Sequence, residues 1–202
     1  MKKEIFSLLL GIALCQFNLL AQDDSETLFG DSGLVHTGNL GFFIAPGYGF
    51  TEMDGSNATL LNLRGGLSFR DKLTVGVYFG ISHNESRPNS EMTPNTYLEH
   101  WTVGGFAEYT VLSKKLIHLT FPLFIGYGEV QMYNENGIAG LGNENFFQIE
   151  PSAYIEVNLF KNTRLNFGAG YRFVGEMDYR NLNQSDISGL TAYLGLKFGL
   201  FR

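Results

Sequence analysis

The sequence predicts an all-β fold, an eight-stranded antiparallel up-and-down β-barrel that is transmembrane, with lipid outside and side chains filling the lumen. Three observations carry that prediction. Apolar residues recur at every second position in eight successive segments, the period of a strand and not of a helix. The two faces so defined differ in charge, and the difference runs the wrong way for a soluble barrel with an apolar cup and a wet exterior. The connections alternate between short turns and longer polar loops, as they do in barrels whose two ends face different compartments.

The strands follow in order. Residues 38–50 place Leu40, Phe42, Ile44, Pro46 and Tyr48 on one face. Residues 57–70 do the same with Leu61, Leu63, Gly65, Leu67 and Phe69, and residues 73–84 with Leu73, Val75, Val77, Phe79 and Ile81. Residues 96–112 contribute Trp101, Val103, Gly105, Ala107 and Tyr109; residues 116–133 contribute Ile117, Leu119, Phe121, Leu123, Ile125 and Tyr127. Residues 146–160 add Phe147, Ile149, Pro151, Ala153, Ile155, Val157 and Leu159. Residues 163–174 add Leu165, Phe167, Ala169, Tyr171 and Phe173, and residues 187–201 add Leu190, Ala192, Leu194, Leu196, Phe198 and Leu200. Not one of these positions is charged, in a chain whose charged content is 17%. A basic residue at mid-bilayer on such a face costs about 2–4 kcal/mol, which accounts for the absence.

The opposite face carries Arg64, Glu108, Glu150, Glu156, Arg172 and Lys197, with His100 and His118, among small and polar residues. An eight-stranded barrel is only wide enough for side chains to fill it, and charges enclosed there must be paired or hydrated. These six are therefore expected to form a structural ion-pair network that plugs the lumen.

The links Arg70-Asp71-Lys72, Ser113-Lys114-Lys115 and Lys161-Asn162 are short. Those around Asp54-Gly55-Ser56, Glu85 to Asn95, Asn134 to Asn145 and Glu176 to Asp186 are longer or rich in Gly, Asn, Pro and charge. The even strand number puts both termini at the short-turn end, expected to be periplasmic. Tyr97, Trp101, Tyr127 and Tyr133 near the loop ends, with Tyr109 and Phe201 near the turn ends, predict two aromatic girdles. Pro46, Pro122 and Pro151 lie inside strands without an N–H to donate, and predict bulges or local breaks in pairing.

Residues 1–21 read as a signal peptide: Lys2 and Lys3, an apolar stretch from Ile5 to Leu14, and Leu19-Leu20-Ala21 before Gln22. Removing them takes away Cys15, the single cysteine, so the mature chain is expected to hold no disulfide, thiolate metal site or cysteine nucleophile. It also leaves a net charge of −7, which does not favour nucleic acid as a partner. Residues 22–36, with Asp23, Asp24, Glu26 and Asp31, read as a short acidic periplasmic tail, and residues 37–202 as the barrel. No later apolar run is long enough for a transmembrane helix.

The eight alternating strands, the pairs Gly47-Tyr48, Gly126-Tyr127 and Gly170-Tyr171, and the ending Leu196-Lys197-Phe198-Gly199-Leu200-Phe201-Arg202 carry a resemblance. From about Thr37 to Arg202 the chain resembles the small eight-stranded outer-membrane barrels of the OmpA and OmpX type from Gram-negative bacteria. The resemblance implies outer-membrane lipids as surroundings and the barrel-assembly machinery as a partner in biogenesis. That machinery prefers a terminal aromatic, whereas Phe201 is penultimate here. The peptidoglycan-binding domain of OmpA-like proteins has no counterpart, so its tether is not carried over. The resemblance also allows a narrow gated pore whose lumen pairs exchange partners; an accessory subunit of a larger outer-membrane complex is a separate alternative.

Some barrels of this size modify lipid A, using a His with Ser and an acidic partner. Ser82-His83-Asn84-Glu85-Ser86 holds all three residue types. The lipid A deacylases, however, use His-x-Ser on a strand, which puts both side chains on one face. His83 and Ser86 differ by three and His83 and Ser82 by one, so neither pair shares a strand face. No enzyme is expected, and no cofactor. His36, His83, His100 and His118 lack metal-ligand spacing, and His100 and His118 are expected to be hydrogen-bonded in the lumen.

Charge is also divided along the barrel axis. The loops and strand tips hold Glu52, Asp54, Glu85, Glu91, Glu129, Glu135, Glu144, Glu176, Asp178 and Asp186 against Arg87 and Arg180, a net of −8. The turn end holds Arg70, Lys72, Lys114, Lys115, Lys161, Arg164 and Arg202 against Asp71, a net of +6. The expected function is an envelope-structural or surface-interaction role, with a protein partner engaged through the acidic extracellular loops.

Overall fold

The computed structural model describes residues 40–136 and 141–201. The signal peptide, the acidic tail, the start of the predicted first strand and Arg202 lie outside the described residues. In chain order the elements are β1 Leu40–Met53, β2 Ser56–Phe69, β3 Leu73–Ser82, β4 Thr96–Val111, β5 Ile117–Asn134, β6 Asn143–Phe160 and β7 Thr163–Val174. There follow β8 Asp178–Tyr179, β9 Leu182–Asn183, helix α1 Gln184–Ile187 and β10 Gly189–Leu200. β1 to β7 and β10 pair antiparallel in sequence order, and β10 closes on β1 to make an eight-stranded barrel. No helix among the described residues is long and apolar enough to cross a membrane, which says nothing of crossing by strands.

Alternation sets the two surfaces. In β5, Ile117, Leu119, Phe121, Leu123, Ile125 and Tyr127 are exposed, and every residue between them is buried. At a usual tilt of about 40° that run stands roughly 25 Å tall, the height of a lipid-facing band. Directly above it, outward-facing Trp101 donates its indole N–H to Glu129 at 3.1 Å, so the charge-free band ends at that row.

Several boundaries differ from the sequence reading. The first link is no loop: Asp54 and Gly55, at φ 46° and 71°, form a two-residue turn, and β1 and β2 run almost to it. The predicted eighth strand begins too early, because Ile187 ends helix α1. Asn183 caps that helix by accepting from the Ser185 N–H at 2.8 Å, while the Asp186 carboxylate accepts the Asn183 N–H at 2.8 Å. Each internal proline interrupts a ladder without shifting its register. Pairing skips from Ile44↔Phe198 to Gly47↔Gly195 at Pro46, from Thr120↔Tyr154 to Leu123↔Pro151 at Pro122, and from Ile149↔Phe173 to Ser152↔Gly170 at Pro151. A register shift does occur between β6 and β7 at Asn158/Phe160, beside a turn and away from the prolines.

Inward glycines seat the lumen's aromatic rings. A Cβ on Gly168 would lie 2.4 Å from the Tyr154 ring and 2.1 Å from the Ala153 carbonyl oxygen. The carbonyl belongs to the neighbouring strand and has nowhere to go. Gly168→Ala is therefore expected to destabilise the barrel by about 1–3 kcal/mol, the range for overpacking, measured by urea unfolding in lipid vesicles. An unchanged midpoint would mean that the ring and ladder relax freely.

Candidate functional site: the filled lumen and its lid

Side chains occupy most of the lumen. At the turn end, six side chains from different parts of the wall form a line of alternating charge. Arg64 faces Glu108 at 3.8 Å, and Lys197 bridges Glu108 at 2.8 Å and Glu156 at 2.5 Å. Arg164 then faces Glu156 and Asp71, each at 3.8 Å. His118 Nε2 adds a contact to Glu156 at 3.1 Å. All of these groups are buried, so each charge depends on its neighbours in the line.

Aromatic rings surround this line. Phe43, Tyr78, Phe106, Phe124 and Tyr154 pack together, and their faces cover the cations. The Arg64 guanidinium lies 4.9 Å from the Tyr154 ring centroid, and the Lys197 ammonium 4.6 Å from that of Phe43.

Of the six inward charges expected to form one network, Arg64, Glu108, Glu156 and Lys197 meet in this line, whereas Glu150 and Arg172 stand apart, nearer the loops. Glu150 accepts a 2.5 Å hydrogen bond from the Tyr193 hydroxyl. Arg172 donates to the Ile187 carbonyl at 2.9 Å and to Thr51 Oγ1 at 3.3 Å. Both line a cavity of about 30 Å³ with Asn62, Arg64, His100 and Tyr193, room for about one water molecule. His100 stacks on Phe146 at 5.7 Å, and neither of its ring nitrogens reaches a protein partner, contrary to expectation.

Three residues counted as turn-end surface belong to the lumen instead. Asp71 and Arg164 are buried, and Phe201 is only 6% exposed, lying 3.7 Å beneath the Arg164 guanidinium. Phe201 is therefore not part of a girdle: its ring turns inward and closes the bottom of the lumen. Parity already marked Arg164 as inward, since it alternates with Leu165 and Phe167. Nothing local marked Asp71. Among the described residues the lumen balances Arg64, Arg164, Arg172 and Lys197 against Asp71, Glu108, Glu150 and Glu156.

The remaining girdle candidates face outward. Tyr97 and Tyr133 meet across β4 and β5 at 5.6 Å, and Tyr127 stands 5.6 Å from Phe147. Tyr109 is 53% exposed at the opposite end.

A lid covers the loop end, and the sequence did not reveal it. The segment from Met177 to the end of α1 folds over the mouth and buries Met177, Tyr179, Leu182 and Ile187. They pack on Met53, Ala58, Leu60, Leu98, Val130, Met132 and Phe146 from five barrel strands. The Tyr179 hydroxyl accepts the Met132 N–H at 2.9 Å and donates toward the Gly142 carbonyl at 2.7 Å. Outside this apolar contact, Arg180 bonds the buried Glu91 at 3.0 Å.

Glu91 gives the lid a pH dependence. Burial pushes its carboxyl up, but the hydrogen bonds from Thr93 and the Arg180 guanidinium outweigh burial and hold it below its usual 4.5. Its stabilisation is complete above pH 4.5 and disappears as the pH falls through the lowered value. Wild type is expected to exceed Glu91→Gln by about 1 kcal/mol near neutrality, and the gap to close on acidification. Unfolding curves of both proteins across pH check this; a gap that persists in acid would exclude the linkage.

The Ser82–Ser86 segment offers no activated serine geometry among the described hydrogen bonds. Ser82 Oγ accepts the His100 N–H at 3.0 Å, Ser86 is buried opposite Leu98, and His83 is exposed. Among the described residues no group of three His, Cys, Asp or Glu is placed to hold a metal ion.

No family model matches the chain, and no curated protein matches it in sequence. Solved structures do match. Neisserial surface protein A is similar over 82% of this chain and 98% of its own, with a TM-score of 0.57 at 10% identity. A major outer membrane protein from Thermus thermophilus is similar over 80% of this chain and 99% of its own, with a TM-score of 0.57 at 11% identity. The N-terminal barrel of Pseudomonas aeruginosa OprF is similar over 79% of this chain and 97% of its own, with a TM-score of 0.53 at 12% identity. This chain has the fold of the small eight-stranded outer-membrane barrels. Identities this low carry the fold alone, so the filled lumen and the lid are read from this chain's own residues.

Proposed function

We propose that the protein is an integral outer-membrane barrel that works through its loop end and not through its lumen. It supports the envelope or engages a partner there, and it neither conducts nor catalyses. One observation carries this reading: the lumen is charge-balanced and sealed by an apolar lid above and Phe201 below, while the outside is an apolar band. A contiguous apolar surface of that size has no stable contact with water. Lipid is the solvent that suits it.

The acidic rim supports a basic or cation-bridged partner. Glu52, Glu85, Glu135, Glu176 and Asp178 are exposed at the loop end, where the lid holds the surface in one shape. Crosslinking in intact outer membranes, followed by purification of the full-length protein, tests the partner. Purified protein in planar bilayers tests the lumen and is expected to stay silent at high voltage. Steady unitary currents would replace this reading with that of a narrow pore. Lipid A acylation unchanged between cells lacking and overproducing the protein is the expected result for a barrel without catalytic activity.

A further inference from the structure

The turn end differs from the loop end in a way that identifies its surroundings. Its turns carry Arg70, Lys72, Lys114, Lys115 and Lys161. Asp71 is the acidic residue of those turns, and it is turned away from the surface into contact with Arg164. The turn that does this is strained: Arg70 and Asp71 take φ of 50° and 51°, a region that side chains other than glycine rarely adopt. The inward Asp71 leaves Arg70 and Lys72 exposed on either side of it, and no carboxylate of the described turns stays at the surface to offset them.

These cations also sit beside exposed apolar side chains. Phe69 precedes Arg70, Leu73 follows Lys72, Leu112 and Ile117 flank Lys114 and Lys115, and Phe160 precedes Lys161, all of them well exposed. Charge at the tip and apolar surface one or two residues away is the arrangement of a membrane–water boundary. There a long basic side chain lays its stem on the apolar zone and its head among the lipid phosphates.

We propose that the turn end is a binding surface for anionic phospholipid headgroups, which gather around the barrel on that leaflet. This rests on the membrane reading above. The phosphates neutralise the basic crown, while the acidic loop end repels them. The preference is electrostatic and weakens with salt.

The test is spin-label lipid spectroscopy on the full-length protein in phosphatidylcholine vesicles. Labelled phosphatidylglycerol is compared with labelled phosphatidylcholine for motional restriction at the protein surface. Phosphatidylglycerol is expected to associate about threefold more strongly at low salt, and about equally in molar salt. Arg70→Gln, Lys72→Gln, Lys114→Gln, Lys115→Gln and Lys161→Gln together are expected to abolish the preference. Arg87→Gln, at the loop end, is expected to keep it. Heat-modifiable electrophoretic mobility confirms folding, and a triple variant at Arg70, Lys72 and Lys114 stands in if the quintuple one does not fold, with a partial loss expected. Equal association in the wild type, or a preference that survives undiminished in the turn-end variants, overturns the proposal. A protein that fails to insert into any vesicle instead overturns the membrane reading beneath it.

Discussion

Lys197→Met is expected to destabilise the barrel by about 3–5 kcal/mol, the largest effect of any single substitution in the lumen. Lys197 is 2% exposed and bonds both Glu108 and Glu156. Methionine fills a similar volume but leaves two buried carboxylates sharing less positive charge. The alternating line also predicts the remedy. Adding Glu156→Gln divides the line into two neutral pairs, Arg64 with Glu108 and Arg164 with Asp71. The double variant is expected to be more stable than Lys197→Met alone, although it has lost one more native group. Urea unfolding in lipid vesicles provides the comparison, and a double variant less stable than the single one would reject the line as the organising unit.

Arg172→Met is expected to release the lid and to cost about 2–4 kcal/mol. The guanidinium is 1% exposed and holds the Ile187 carbonyl and Thr51, and it borders the same cavity as Glu150. Its loss leaves a buried carbonyl without its donor and a buried carboxylate without the nearby cation. Hydrogen exchange locates the effect: protection is expected to fall first at the Ser188 amide, which donates to the Gln184 carbonyl at the end of α1, and at the Val174 amide, which donates to Ser188 Oγ and ties that end to β7. Amides at mid-barrel are expected to stay protected. Uniform loss across the barrel would mean that Arg172 supports the whole wall and not the lid.

Most of the wall was legible because a strand's period is local. Every second residue faces outward, so the charge-free face of β5 can be read from eleven consecutive letters without knowing its neighbours. The same rule found Arg64, Glu108, Glu156 and Lys197, and would have found Arg164. It failed where the backbone leaves strand geometry. Asp71 lies in a turn, Phe201 follows the last strand residue, and Tyr179 and Leu182 belong to two-residue strands too short to show a period. Glu150 and Arg172 share the lumen parity of the others, and only their height along the barrel separates them from the ionic line.

By itself the sequence determined an eight-stranded wall, its apolar outer side and the presence of charge within, because burial on a pleated strand depends on nearest neighbours. The tertiary structure alone decided which charges meet, that Phe201 and a turn carboxylate point inward, and that a loop closes the mouth. Those contacts join residues such as Glu91 and Arg180, or Glu108 and Lys197, far apart in the chain. Their distances depend on barrel closure and on the stagger between strands, which no local pattern encodes.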